Sequence, residues 1–327
     1  MTVLIIRFSS LGDIVLSTSV VEALNQKYPD ASIHFLTKDV YAHLFNGDPR
    51  LERIVGISKG DTISGIRKKV SDVNYDLVID LHASLRSRLV VAKLDADSKI
   101  RIRKHSLERR LMVASRGIYK KKQDVLGSML ATVRSLGIES RIYPRLFPEK
   151  SAEITLQSKL PNAGENLIGI APGSLHDTKR WNEDSFASLA DKLCENGFHP
   201  VFIGDSGDIQ VIDKIRAKMQ KESLSLAGSL SLSETVALIA GLRGIVTNDS
   251  GPMHIAGAVG TPFAAIFGPT HPSLGFDPEY PNGTVLHSGA KCSPCSIHGE
   301  KKCRMKSRFC MDDISWNDVF ESLIKLT

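Results

Sequence analysis

Short, wholly apolar runs recur along this 327-residue chain, each followed by a stretch with helical periodicity, and that alternation leaves few folds open. Residues 2–8 form the first run. A helical pattern follows over 13–27, with Ile14, Val20, Val21, Leu24 and Tyr28 on its inward side. Residues 32–37, 53–57 and 75–81 read as further strands. Runs with no polar face must be covered on both sides, so the expectation is an α/β fold built on parallel sheet. The pattern weakens over 145–162, where Pro144, Pro148 and Pro161 surround a short polar helix, and then restarts. Residues 167–171, 200–204, 224–227, 244–248 and 263–267 supply a second set of strands. Asn182 and Gly197 bracket a helix between the first two of these, as start and stop signals. The length suits two domains of about 150 residues. We place them at 1–155 and 156–327, the second ending in a Cys-rich segment and a final helix. In such a pair a cleft between sheet edges is the expected ligand site.

Composition narrows the class. Hydrophobic residues at 42% and charged residues at 24% are ordinary for a globular chain, which argues against long disorder. A net charge of +6 with a pI near 9.0 favours anionic partners such as nucleotides, phosphorylated lipids or an acidic membrane surface. The apolar run 3–6 is too short for a secretory leader, and no stretch approaches the ~20 apolar residues of a membrane span. The expectation is a cytoplasmic protein that touches a membrane only from its surface.

Three loops carry candidate chemistry. Ser9-Ser10-Leu11-Gly12-Asp13 lies where the first strand turns into the first helix, a position that faces the ligand crevice of a doubly wound sheet. One glycine there does not make a dinucleotide fingerprint, which disfavours an oxidoreductase. Asp13 has two readings that spacing leaves open: the acid of a capping box with Ser10, or a general base at the mouth of a cleft. Ala171-Pro172-Gly173-Ser174 follows the first strand of the second unit, with Lys179-Arg180-Trp181 shortly after. A strand end, a small-residue turn and a cation are what a pyrophosphate site requires. Thr247-Asn248-Asp249-Ser250-Gly251-Pro252-Met253-His254 follows another strand and opens a helix that Ser250 or Asp249 can cap, with Gly251 allowing close approach of a phosphate.

Together these stretches resemble the ADP-heptose:lipopolysaccharide heptosyltransferases, glycosyltransferase family 9. The likeness extends to Asp80-Leu81-His82 with Arg86-Ser87, to Phe267-Gly268-Pro269-Thr270 and to the terminal cysteine segment. It implies a GT-B fold, two facing Rossmann-like domains with an interdomain cleft, acceptor in the first half and donor in the second. It implies an inverting transfer of heptose from ADP-heptose to the lipopolysaccharide inner core. Asp13 would be the base, and Ser174 and Lys179 would hold the diphosphate. Asp249, Ser250, Gly251 and His254 would line the nucleotide and sugar, with Asp208 at the ribose and Leu230 over the adenine. No cofactor is needed for that chemistry. Rival readings are a related nucleotide-sugar transferase acting on another glycan or an autotransporter-type protein, and a non-catalytic ADP-sugar-binding subunit.

Arg7, His82 and Arg86 fall at or just beyond strand ends and are candidate acceptor contacts, as are Arg101 and Arg103 in the basic run 99–110. That run could receive lipid A phosphates or acidic inner-core sugars, or could instead be a solvated face; peripheral contact with an anionic membrane at the cytoplasmic side is an expectation for the chain as a whole. Nucleic acid is disfavoured because aromatic residues do not interleave with the charges. Cys292, Cys295, Cys303 and Cys310 are spaced C-x2-C-x7-C-x6-C, a set that could hold a structural Zn²⁺ or iron, remain as free thiols or form disulfides in an exposed loop.

Overall fold

A computed structural model describes residues 1–115, 122–160 and 166–327; Pro161, expected in the linker, lies outside the described residues. The strands are β1 (Thr2–Ile6), β2 (Ser32–Lys38), β3 (Arg53–Ile57), β4 (Tyr75–Asp80), β5 (Ala96–Arg101), β6 (Leu167–Ala171), β7 (His199–Phe202), β8 (Leu224–Ser225), β9 (Gly244–Asn248), β10 (Phe263–Ile266) and β11 (Gly283–Leu286). They form two sheets in which every pairing is parallel. Two compact units contain them: Met1–Lys104 with Val125–Lys150, and His105–Asp124 with Ser151–Thr327. The expected division at 155/156 falls inside the helix Lys150–Lys159.

In the first unit the strand order is β3-β2-β1-β4-β5, so the winding reverses between β1 and β4. Leu4, Ile6, Leu36, Val55 and Val78 form part of one apolar core on this sheet. The helix Leu11–Lys27 is buried continuously from Ile14 to Leu24, hydroxyls included. Ser17, Thr18 and Ser19 can go under because each donates to the carbonyl three residues back, at 2.6, 2.7 and 2.8 Å. The buried Glu22 is matched by Arg50 at 2.7 Å, and Arg50 also forks onto Asp48. β5 was not anticipated: Ala-Asp-Ser-Lys-Ile-Arg is an exposed edge strand with no apolar run to betray it.

In the second unit the order is β11-β10-β9-β6-β7-β8, with the reversal between β9 and β6. Asn182 caps the helix Glu183–Glu195 through Ser185 N at 2.7 Å, and Gly197 ends it with φ +79°. Phe186, Leu193, Phe202, Val246, Ile266 and Phe320 meet in the core, the last from the terminal helix Trp316–Ile324. Among the described residues no helix is long and apolar enough to cross a membrane.

Candidate active site

Parallel strands that reverse their winding leave a crevice outside their carboxyl ends. In the first unit that place is the end of β1 beside β4, where Ile6 pairs with Asp80. Arg7 follows β1 directly, buried, and donates to Leu81 O at 2.6 Å while its other terminal nitrogen lies 2.6 Å from Asp13 Oδ2. The same carboxylate oxygen accepts from Ser10 N at 3.2 Å and Ser10 Oγ at 2.9 Å. The two readings of Asp13 are therefore compatible: the carboxylate closes the first turn of its helix and is held by a fixed cation at the crevice. Arg7, taken from the sequence as an acceptor contact, has its guanidinium committed to this pair.

The neighbouring loop is organised by the buried Asp80. Its Oδ1 accepts from His82 N at 3.0 Å and Ala83 N at 2.7 Å, and its Oδ2 accepts from Ser87 Oγ at 3.0 Å. Those bonds hold Ala83 at φ +48°, a conformation a non-glycine residue adopts only when its surroundings compel it. His82 packs its ring 5.0 Å from Phe8 and leaves Nδ1 without a hydrogen-bond partner. Burial, with Arg7 and Lys104 adding repulsion, lowers its pKa to about 4, so the imidazole is neutral near pH 7. Arg86 donates to the carbonyl of Asp61. Arg101 is exposed at the end of β5, in register with Asp80, and Arg103 is exposed just beyond it.

In the second unit the two expected phosphate loops leave adjacent strands, β6 and β9, where Ala171 pairs with Thr247. They converge. Lys179 Nζ lies 2.7 Å from Asp249 Oδ2, which also accepts from the buried Thr270 hydroxyl at 2.5 Å. Asn248 ties the loops together: its amide donates to Pro172 O at 2.7 Å, and its oxygen accepts from Trp181 N at 3.1 Å. Ser250 precedes the helix Gly251–Val259, but its side chain makes no cap bond; its hydroxyl is 3.2 Å from Thr247 Oγ1. Asp249 does not cap either, being held by Lys179 and Thr270, so the expected capping role falls to neither. The positive end of the helix dipole thus opens at this loop, a place suited to an anion. His254 is almost wholly buried and meets Tyr280 edge-on at 6.5 Å.

Further along the same edge, Asp208 follows β7 and Leu230 follows β8, both half-buried. A Cβ on Gly173 would fall 2.1 Å from the Asp208 carboxylate, so only glycine lets the β6 turn pass it. Burial and the Asp205 carboxylate push Asp208 up, while Arg180, 3.9 Å away, opposes them. Ser174 accepts from Arg180 Nε through its carbonyl at 3.0 Å.

The Cys-rich segment braces the lysine loop. Thr178 N and Oγ1 both donate to Glu300 O, at 3.2 and 2.8 Å, and Arg308 donates to Arg180 O at 2.9 Å. A side chain at Gly299, φ +94°, would collide with the Lys179 methylenes. Cys292, Cys295, Cys303 and Cys310 all line one cavity of about 280 Å³. Burial, then the neighbouring thiols, push Cys310 up to about 12 and raise Cys295. Among the described residues, however, no three His, Cys, Asp or Glu side chains stand close enough together to hold an ion, so the thiols as placed do not form a Zn²⁺ or iron ligand set.

Residues 63–307 match the sequence profile of glycosyltransferase family 9 (heptosyltransferase). The chain belongs to that family. A lipooligosaccharide heptosyltransferase 2 of Haemophilus ducreyi is 30% identical over 300 residues, 84% of this chain and 85% of the relative. Among solved structures, a family 9 glycosyltransferase of Veillonella parvula superposes with a TM-score of 0.83 at 21% identity, covering 99% of this chain and 96% of its own. The E. coli ADP-heptose LPS heptosyltransferase II gives 0.77 at 24% identity, covering 100% and 98%. The expected GT-B fold class and the expected glycosyltransferase activity both hold. In this family 9 enzyme the sequence singled out Asp13, Lys179 and Asp249 but not the supporting roles of Thr270, which holds Asp249, of Asn248, which ties the two loops, or of Asp80, which orders the His82 loop. All three sat within motifs already noted, Asn248 one residue before Asp249 and Asp80 two before His82, both at strand ends.

Proposed function

We propose that this family 9 glycosyltransferase moves heptose from ADP-heptose to a sugar of the lipopolysaccharide inner core, with inversion at the anomeric carbon. The observation that carries the reading is the convergence of Lys179 and Asp249 on the reversal point of the second sheet. The diphosphate would lie against Lys179, Ser174 and the start of the helix Gly251–Val259. The nucleoside would run toward β7 and β8, its ribose near Asp208 and its adenine against Leu230. Asp249 and His254 would meet the sugar side. Similarity to an E. coli ADP-heptose LPS heptosyltransferase supports the choice of donor.

In the reaction Asp13 takes the proton of the acceptor hydroxyl, the hydroxyl oxygen bonds to the anomeric carbon, and the bond from that carbon to the diphosphate breaks. ADP departs with the bonding pair, and Lys179 with the helix dipole offsets the charge it gains. The chain's own groups supply that counter-charge. Acceptor phosphates or acidic core sugars would meet His82, Arg86, Arg101 and Arg103 at the first sheet's edge. An acceptor anchored in lipid would bring the enzyme to the cytoplasmic face of an anionic membrane. A transfer assay with ADP-heptose and a panel of truncated cores tests this: heptose should appear on one inner-core sugar. Transfer from UDP-sugars only, or a melting-temperature rise with UDP equal to that with ADP, would overturn the donor assignment.

A further inference from the structure

The positive charge of this chain is not spread over it. Residues 99–122 carry ten Lys and Arg against one acid, Glu108, a local charge of +9. The whole chain is +6, so everything outside that segment sums to −3. Within it, the helix Ser106–Ala114 buries Met112 and turns Leu107 and Leu111 outward, 69% and 57% exposed. These leucines are one turn apart, and Arg110 is exposed beside them. Two large apolar side chains left in water on a short helix, next in sequence to the exposed Arg101 and Arg103, make an amphipathic and basic element. The helix is not loose: Arg109 stacks on Phe276 at 5.6 Å, and His105 pairs with Glu108 at 3.0 Å, so the leucines are presented from a fixed base.

We infer that the helix Ser106–Ala114 is a docking element for an anionic lipid bilayer, Leu107 and Leu111 entering the headgroup boundary while the basic residues face acidic headgroups. This rests on the reading that the acceptor is anchored in such a surface. The occupant follows from charge: a segment of +9 in a chain whose remainder sums to −3 is drawn toward an anionic surface, and the two exposed leucines give it an apolar contact there. Each basic residue near an anionic leaflet adds attraction, and each leucine adds a contribution that salt does not screen.

Flotation of the full chain with vesicles tests it without requiring catalysis. The protein should float with phosphatidylcholine vesicles doped with phosphatidylglycerol, should not float with phosphatidylcholine alone, and should be partly released by high salt. Leu107→Ser with Leu111→Ser should cut partitioning at least about tenfold, while the ADP-induced rise in melting temperature and the rate on a soluble truncated core glycan stay at wild-type values. Equal flotation with both vesicle types, or undiminished flotation of the double variant, overturns the inference. So does a parallel loss of rate on the soluble glycan, which would make the helix part of the acceptor site. Vesicle binding with no transfer to any core would instead refute the proposed function and leave the docking element standing.

Discussion

Each unit places an aspartate at the strand-to-helix junction by the reversal point of its sheet, and pairs it with a cation at nearly the same distance: Arg7–Asp13 at 2.6 Å and Lys179–Asp249 at 2.7 Å. The pairs are built the opposite way round. In the first, the arginine is the hidden partner at 8% exposure and the carboxylate is the accessible one at 21%. In the second, the carboxylate is hidden at 7% and pinned by Thr270, while the lysine is the more accessible at 13%. One unit thus offers an acid backed by a cation, and the other a cation backed by an acid. Proton abstraction needs the former, and a leaving diphosphate needs the latter. On the proposed reaction the same pair of charges would serve both ends of the transfer, with burial setting which member is the more accessible.

The comparison can be broken most directly at the accessible carboxylate. Asp13→Asn should lower kcat by about 10²–10⁴ and leave the ADP-induced melting shift intact; wild-type turnover would remove Asp13 from the base role. Lys179→Met should cost about 10²–10³ in rate and also weaken ADP binding, because the proposed function lays the diphosphate against this lysine. It leaves Asp249 buried without its cation, so the double variant with Asp249→Asn should be less damaged than the sum of the single changes. Thr270→Val removes one bond to the hidden carboxylate and should cost on the order of 1–3 kcal/mol of stability, read by denaturant midpoint, with a smaller effect on rate than Lys179→Met.

The smallest expected effect concerns pH. Unfolded, His82 takes a proton near 6.5; folded, it does so only near 4. Between those values the unfolded chain binds more protons, so this contribution is complete above pH 6.5 and is lost as pH falls toward 4. His82→Gln should flatten the melting temperature across that window, and an unchanged acid limb would show that His82 does not stay neutral.

Much of this was legible in the sequence because apolar runs report burial on both faces. β3, β6 and β9 stand where the pattern put them, and the loops after β1, β6 and β9 follow from knowing where strands end. What was illegible lacked such a signal. β5 is polar and exposed, and an edge strand is held by backbone pairing that leaves no mark on side-chain order. β11, another edge strand, was missed with it. The Arg7–Asp13 contact is a matter of rotamers, and six residues of spacing do not reveal it. The bracing of Lys179 by Glu300 and Gly299 joins segments far apart in the chain, which local pattern cannot bring together. The cysteine spacing was read correctly as a cluster, yet spacing alone does not fix whether sulfurs close on an ion.

Asn248 carries a consequence for how this enzyme can change over time. It gives a hydrogen to the start of the loop after β6 and takes one from the end of that same loop while fully buried, so its amide works in two directions at once. Aspartate matches its shape but would set oxygen against the Pro172 carbonyl, and leucine would strand both partners. The position should therefore tolerate almost no substitution, since both of its bonds are to backbone groups. This wiring runs wholly between the chain's own groups, so on the proposed function a donor would find its seat held by the protein itself and cost the protein little freedom on entering.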